Sequence, residues 1–401
     1  MGDPPGMRPV IFRLAFTAFS FATALVPAVF LLPRLALGRK IRISVAVFLF
    51  LVSSQFLANS LFGGSMFYPA WPPPLVFAWG TLNCALMVFF FLHVPGYLFL
   101  WRIPVRWRRI FAAAVAVLSV AVTAVGTYES VKIPHVNRIE LAFDDLPKEF
   151  DGYRIAQMSD IHCSQITPRS RFVEIVRRTN EAGPDLICLT GDYADGWADR
   201  LGRKLEPFSG FNAPDGVLAI PGNHEFYWGW SEWRPFFRRL GFSILENSRI
   251  CIVRGSASIA VAGVPDVASS RPLKRGADGR KITDDAVAAA WPDMEAAFAG
   301  TPKDAFRILL MHRPHTARSA AGECNVRLQL SGHTHGGGLP GLSWIVSRWN
   351  EGHVRGMYEE GRTKLYVTPG TGQWAGFPLR LFNPAEITLF TLRRRAENRR
   401  R

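Results

Sequence analysis

Four long apolar runs in the first third of the chain set the strongest limit on its fold. They are Val10 to Leu32, Ile43 to Phe62, Leu75 to Leu100 and Ile110 to Tyr128, and none holds an acidic residue. Each approaches or exceeds the roughly 20 apolar residues needed to cross a hydrocarbon core about 30 Å thick. Arg13 lies near one end of its run, where its head can snorkel to the lipid headgroups. Gln55, Asn59 and Pro27 are tolerable if they face neighbouring helices. A cleaved signal peptide would account for one such run but not for four. A soluble helical core would show a polar face, which these runs lack. The sequence therefore predicts four transmembrane helices within residues 1–128, at about 10–32, 43–62, 75–100 and 110–128.

The placement of charge supports this division. The formal net charge is +15, of which residues 1–132 carry +9 and the last nine residues, "RRRAENRRR", carry +5. The body between them is nearly neutral. The basic character therefore belongs to loops flanking apolar runs and to a basic tail at 393–401, and it argues against nucleic acid as a partner. Aromatic–basic interleaving of the single-strand-binding kind is also missing. "PRLALGRKIR" and "WRIPVRWRR" each hold four basic residues, whereas "GGSMFYPAWPPP" holds none. Basic loops stay in the cytoplasm, so the chain after the fourth run is expected outside it. Arg8 and Arg13 weigh the other way. The expectation is a multi-pass cell-membrane protein with membrane lipids as neighbours. The five cysteines show no CxxC spacing, and small buried side chains are their expected role.

From about Val131 the pattern changes to short apolar runs alternating with helical stretches and turns, the mark of an α/β domain. Residues 129–151 read as a linker and first strand, and 152–392 as the domain. Several of its apolar runs end alike. "YRIAQMSDIH" ends at Asp160 and His162, and "DLICLTGDYAD" at Asp192 and Asp195. "GVLAIPGNHE" ends at Asn223, His224 and Glu225, "FRILLMHRP" at His312, and "VRLQLSGHTH" at His333 and His335. Runs this apolar suit strands covered on both faces. In open α/β sheets the ligand crevice lies at the carboxyl ends of strands. Five endings drawn from metal-ligand side chains are more than helix caps require. Burying so many ionisable groups costs several kcal/mol per ion unless opposite charge offsets it. The polar cluster therefore points to cations.

In order, Asp160-x-His162, Gly191-Asp192-x-x-Asp195, Gly222-Asn223-His224-Glu225, His312 and Gly332-His333-x-His335 resemble the motifs of the calcineurin-like metallophosphoesterases. "LSGHTHGG" and the late "LYVTPGTGQWAGFPLRLFNPAEITL" are similar to the bacterial-type branch whose catalytic domain follows N-terminal membrane segments. The resemblance covers roughly residues 150–392. It implies two mixed β-sheets sandwiched between helices, with a pair of divalent ions (manganese, iron or zinc) at one edge. By resemblance Asp160, His162 and His335 hold one ion, Asn223, His312 and His333 the other, and Asp192 bridges them. Extended residues two apart point the same way, so His333 and His335 are expected to serve one ion each.

Such a pair attracts a phosphate and lowers the pKa of a water held between the ions. The family pattern makes His224 the residue that contacts the phosphate and protonates the leaving oxygen. Asp195 and Glu225 are expected to orient ligands from behind. Arg380, in "GFPLRLF", is a candidate for the substrate phosphate, and His315 for substrate contact. "EFYWGW" after His224 would form either an apolar wall for a lipid chain or core packing. The expected activity is metal-dependent hydrolysis of a phosphodiester or pyrophosphate near the membrane surface, with a lipid-linked substrate in view. A broad phosphomonoesterase and a non-catalytic metal-binding sensor are the alternatives.

Overall fold

A computed structural model of the chain describes residues 7–34, 37–62, 68–100, 102, 104–270, 280–282, 291–314, 324–338 and 343–395. The chain divides into a helical unit, formed by residues up to Val131 with Trp374–Leu379, and an α/β unit formed by Lys132–Gln373 and Arg380–Arg401.

The helical unit contains α1 (Met7–Val26), α2 (Arg39–Ser53), α3 (Gln55–Phe62), α4 (Pro73–Leu100) and α5 (Val105–Val131). All four apolar runs are helical, and among the described residues they give two candidate spans, or three if a bent pair counts as one. Pro73–Gly96 and Val105–Val131 are long and apolar enough to cross a membrane, and α2 with α3 form a third candidate bent by 55°. The described apolar part of the first helix, Leu14–Val29, is shorter than a span. Gln55 and Asn59 are buried, as expected of polar side chains in such a unit. Asn83 Nδ2 donates to Gln55 Oε1 at 3.1 Å, and Gln55 Nε2 donates to the Gly376 carbonyl at 3.3 Å. Phe377, on the short late segment, packs against Phe56 and Met87.

The α/β unit is built on two six-stranded mixed sheets. The first runs β1 (His135–Phe143), β12 (Glu386–Arg394), β2 (Arg154–Met158), β3 (Leu186–Leu189), β4 (Val217–Ala219) and β5 (Phe242–Ile244). The second runs β10 (Gly356–Glu360), β11 (Thr363–Val367), β9 (Leu328–Ser331), β8 (Phe306–Leu310), β7 (Ala257–Gly263) and β6 (Ser248–Arg254). β2 to β5 are mutually parallel, as are β7, β8, β9 and β11. Ile155, Leu186, Cys188 and Leu218 of one sheet share a buried core with Ile259, Val261, Ile308, Leu310 and Leu328 of the other. The central strands β3, β4 and β7 to β9 are short and largely apolar because both their faces are covered, whereas β1, β6 and β10 carry exposed residues.

The first strand expected within residues 129–151 is β1, which pairs with β12 along its whole length. β12 runs to Arg394, which takes the first two arginines of the basic tail into the sheet, and residues 396–401 lie outside the described residues. All five cysteines are free, and four of them are buried.

One glycine is demanded by close packing beside the strand ends. A Cβ on Gly372 would lie 1.8 Å from the Ile161 carbonyl oxygen, a backbone atom that cannot step aside. Gly372→Ala is expected to destabilise the domain by about 1–3 kcal/mol or more, the usual range for overpacking. Gly210→Ala, whose Cβ would stand 3.5 Å from Val176, is expected to be benign. Thermal unfolding of the detergent-solubilised protein checks this, with a lowered midpoint for the first variant alone.

Candidate metal centre

The parallel strands carry their carboxyl ends to one edge of each sheet, and the polar residues follow directly. Asp160 and His162 lie after β2, Asp192 and Asp195 after β3, and Asn223, His224 and Glu225 after β4. His312 follows β8, and His333 and His335 follow β9. The loops interlock across the sheets. Gln157 Nε2 donates to the Ser331 carbonyl at 3.0 Å, and His312 Nδ1 donates to the Thr190 carbonyl at 2.7 Å. The Asp160 carboxylate accepts the His333 N–H at 3.0 Å, and Asp192 Oδ1 accepts the His224 N–H at 2.9 Å.

Ligand atoms of Asp160, His162 and His335 lie within 4.8 Å of one another, as do those of Asp192, His312 and His333, and those of His162, Asp192 and His224. Inside these groups the spacings are tight. His162 Nε2 is 2.9 Å from His335 Nε2, and His312 Nε2 is 3.2 Å from His333 Nδ1 and 3.1 Å from Asp192 Oδ2. Donors about 2.1 Å from one ion and at right angles to each other stand about 3 Å apart. The structure therefore places six of the seven expected ligands, all but Asn223, in groups with the spacing of coordinating atoms.

The hydrogen-bond network indicates why a cation suits the place. His162 Nδ1 donates to Asp195 Oδ1 at 3.0 Å, and the Nδ1 of His312 is committed to a carbonyl. A neutral ring whose Nδ1 bears the proton presents a lone pair at Nε2. The Nε2 of His162 meets the Nε2 of His335, and the Nε2 of His312 meets Asp192 Oδ2 and the Nδ1 of His333. Burial, aided by the charge of Arg313, holds His333 well below the usual histidine pKa, and burial with the neighbouring His162 does the same for His335. Both shifts favour the neutral form, the form that can bind a metal. Burial alone would lower His312, but the Asp192 carboxylate outweighs it and pushes the pKa up to about 10. The Asn223 side chain supplies the clearest observation. Its Oδ1 is buried and has no hydrogen-bond partner. A buried acceptor left unpaired costs about 1–3 kcal/mol, and a bound cation would offset that cost.

The two carboxylates expected behind the ligands are both there. Asp195 Oδ1 accepts from His162 Nδ1 and also from His224 Nδ1, the latter at 2.5 Å. Glu225 accepts the backbone N–H groups of Asp192, Tyr193 and Gly222 at 2.7–2.8 Å, so it clamps the two loops that carry Asp192 and Asn223. Burial, together with the Asp192 charge, raises the Glu225 pKa to about 7.

Two expectations are corrected, and one open alternative is settled. Arg380 is buried, and its guanidinium donates to the carbonyls of Pro369, Gly370, Gly372 and Asn383. Its N–H groups are spent on backbone, so it shapes a loop and is not left for a phosphate. His333 and His335 are not extended. Their φ angles are 71° and 49°, with Thr334 right-handed between them. It is this alternation of turns that sends one ring toward His312 and the other toward His162. The aromatic run after His224 is core, since Trp228 and Trp230 are fully buried.

His315 lies outside the described residues. His353 meets Glu360 and His135 meets the Ala385 carbonyl, so neither joins the centre. Sequence reasoning missed Arg313, whose guanidinium grips buried Asp266 at 2.7 Å and adds positive charge beside His333. Its position directly after His312 was the available signal.

With that geometry in place, comparison with known proteins assigns the class. Residues 153–337 match the calcineurin-like phosphoesterase family. A zebrafish (Danio rerio) protein described as a transmembrane protein with metallophosphoesterase domain is 30% identical over 97% of this chain and 91% of its own length. A Bacillus subtilis protein described as an uncharacterized metallophosphoesterase is 33% identical over 62% of this chain and 82% of its own. Among solved structures, a Thermus thermophilus 5'-nucleotidase precursor aligns with 60% of this chain and 54% of its own, at 14% identity and a TM-score of 0.35. The class is that of metal-dependent phosphoesterases, enzymes that hydrolyse phosphate esters. The chain belongs to the calcineurin-like metallophosphoesterase family.

Asp195 offers a test of the network because it touches no ion yet serves two rings. Removing a carboxylate that orients a ligand histidine typically weakens metal binding about 10–100-fold. Asp195→Ala should show that loss in a chelator competition. Unchanged affinity would make Asp195 a bystander.

Proposed function

We propose that this protein is a membrane-anchored phosphohydrolase that holds two divalent cations per chain and cleaves a phosphodiester or pyrophosphate. The observation that carries the reading is the convergence of Asp160, His162 and His335, and of Asp192, His312 and His333, with their ligand atoms within 4.8 Å of one another, beside a loop in which Asn223 Oδ1 is buried without a hydrogen-bond partner. Asp160, His162 and His335 would hold one ion, and Asn223, His312 and His333 the other, with Asp192 between them. Manganese, iron and zinc all suit this mixed nitrogen and oxygen set. When bound, such ions supply Lewis acidity to the phosphoryl oxygens and acidify water.

The chain's own contribution centres on His224. Its Nδ1 is tied to Asp195, which leaves Nε2 facing the ligand cluster, 3.9 Å from Asp192 Oδ2. Burial opposes its protonation, but Asp192 and Asp195 outweigh burial and push the pKa up to about 9. A ring that keeps its proton near neutrality suits a donor to a leaving alkoxide, which departs poorly without one. Asp195 fixes the ring's orientation, and Glu225 fixes the loops of Asp192 and Asn223.

Action near a bilayer is part of the proposal. Its support is that α5, a candidate span, ends at Val131 and β1 opens at His135. The basic loops between apolar runs favour a catalytic domain outside the cytoplasm. A C-terminal fusion to a reporter active only outside the cytoplasm should be active. An expressed but inactive fusion would reverse the orientation.

The catalytic reading is tested on the solubilised protein with added metals and chromogenic mono- and diesters. Diester hydrolysis is expected. His224→Ala should retain its metal content and lose turnover by about 10²–10⁴-fold, the usual share of a general acid. Preference for monoesters would replace the diester assignment. Metal-loaded protein inert toward every ester would favour a sensor.

A further inference from the structure

A cleft of about 460 Å³ lies in the α/β unit beside the turn that carries His335. Gly336, Trp344, Val354, Arg355, Leu381 and Phe382 are among its lining residues. Its floor is tied to the candidate centre, because Gly336 directly follows His335 and its carbonyl accepts from Asn383 Nδ2 at 2.8 Å. Small-molecule sites typically measure about 300–1,000 Å³, so the cleft is large enough to hold part of a substrate.

Two independent features indicate what that part is. The first is an aromatic rim. Trp344 is 65% exposed and Phe382 80%, and Trp349 at the far end of the short helix Ser343–Trp349 is 72% exposed. That helix buries none of its residues. Large apolar side chains gathered at the mouth of a cleft mark a place that takes apolar matter. The second feature is strain. Phe382 has φ of 61°, a left-handed conformation that is unusual for a bulky residue. Such strain costs about 1–3 kcal/mol and persists only where surrounding contacts enforce it. Here the Arg355 guanidinium holds the Phe382 carbonyl and the Asn383 side chain. The strained backbone thus turns an aromatic ring toward solvent.

Charge narrows the ligand further. Among the described residues none that lines the cleft is acidic, while Arg355 does line it, and Arg348 lies on the helix between the two tryptophans. An apolar mouth with cationic side chains, opening beside a cluster suited to phosphate, fits an anionic amphiphile. We infer that this cleft receives the hydrocarbon portion of the substrate, and that the substrate class is a phosphate ester of a membrane lipid. The inference rests on the phosphoesterase reading above and adds the element that selects the substrate.

The test measures binding as well as turnover. Metal-loaded full-length protein in nanodiscs is titrated calorimetrically with hexylphosphonate and with methylphosphonate. The same preparation is assayed on hexyl and methyl p-nitrophenyl phosphodiesters. The wild type should bind the hexyl compound at least tenfold more tightly. Phe382→Gly and Trp344→Ser should lose most of that advantage while leaving methylphosphonate affinity unchanged. Glycine suits the left-handed backbone at 382, so that variant is expected to fold. Equal affinities in the wild type, or variants that weaken both ligands alike, would overturn the assignment and leave the aromatic rim to a protein or bilayer contact. A retained chain preference without turnover of either diester would support the cleft and remove the hydrolytic reading.

Discussion

The centre depends on one electrostatic conflict, in which lone pairs and carboxylates converge where water cannot reach them. Asp160, His162 and His312 are wholly buried, and Asp192 and Asn223 nearly so. In bulk water these groups would be solvated separately. Here Nε2 of His162 is aimed at Nε2 of His335, and Nε2 of His312 at the Asp192 carboxylate, because their Nδ1 atoms are already committed. Protonation relieves part of the conflict, as the raised pKa of His312 shows. It cannot serve Asn223, whose amide oxygen does not titrate and still lacks a donor. The two proposed cations would satisfy these atoms between them, and metal binding and folding of the site should then be linked.

Holding such a cluster together requires a frame, and much of that frame is backbone under strain. Asp160, His162, Asp192, His333 and His335 all have φ between 45° and 71°. Left-handed non-glycine residues are uncommon and cluster where function over-determines the geometry. Two buried side chains hold the turns in place. Glu225 gathers three backbone N–H groups, and Arg380 gathers four carbonyls of the loop whose Gly372 N–H reaches the Asp160 carbonyl at 2.9 Å. One clamp is an anion on donors and the other a cation on acceptors. Neither touches a ligand side chain, yet both determine where the ligands point.

The ligand set could be read from the chain because strand ends announce themselves. Apolar runs stop at Asp, Asn or His, and in parallel sheets those stops fall on one edge, so order along the chain becomes proximity in space. Backbone turns leave no such trace. Nothing in "GHTHGGG" distinguishes an extended His-x-His from the left-handed, right-handed, left-handed sequence observed, although its glycines allow either. Arg380 was misread for a related reason. An arginine near a site has the same letters whether its donors face a phosphate or five carbonyl contacts, and only the loop's path decides. Length misleads in the helical unit as well. Residues 43–62 form one apolar run in sequence but two helices in space.

That break follows from the side chains at it. Ser53 Oγ donates to the Phe50 carbonyl at 2.9 Å, and Ser54 Oγ donates to the Leu51 carbonyl at 2.8 Å. Serine pairs that bond back to the preceding turn compete with the helical ladder and bend it. In an apolar surrounding the carbonyls freed by a bend would be expensive to leave bare. Here they are taken up by neighbours. Trp79 Nε1 donates to the Val52 carbonyl at 3.0 Å, and Ser20 Oγ donates to the Ser53 carbonyl at 2.7 Å. Between apolar helices in lipid there is little hydrophobic drive to associate, and such hydrogen bonds contribute about 0.6–2 kcal/mol each. The bend thus exposes the acceptors that tie α1 and α4 to α2. A straight helix through Ser54 would satisfy its own carbonyls and lose those ties.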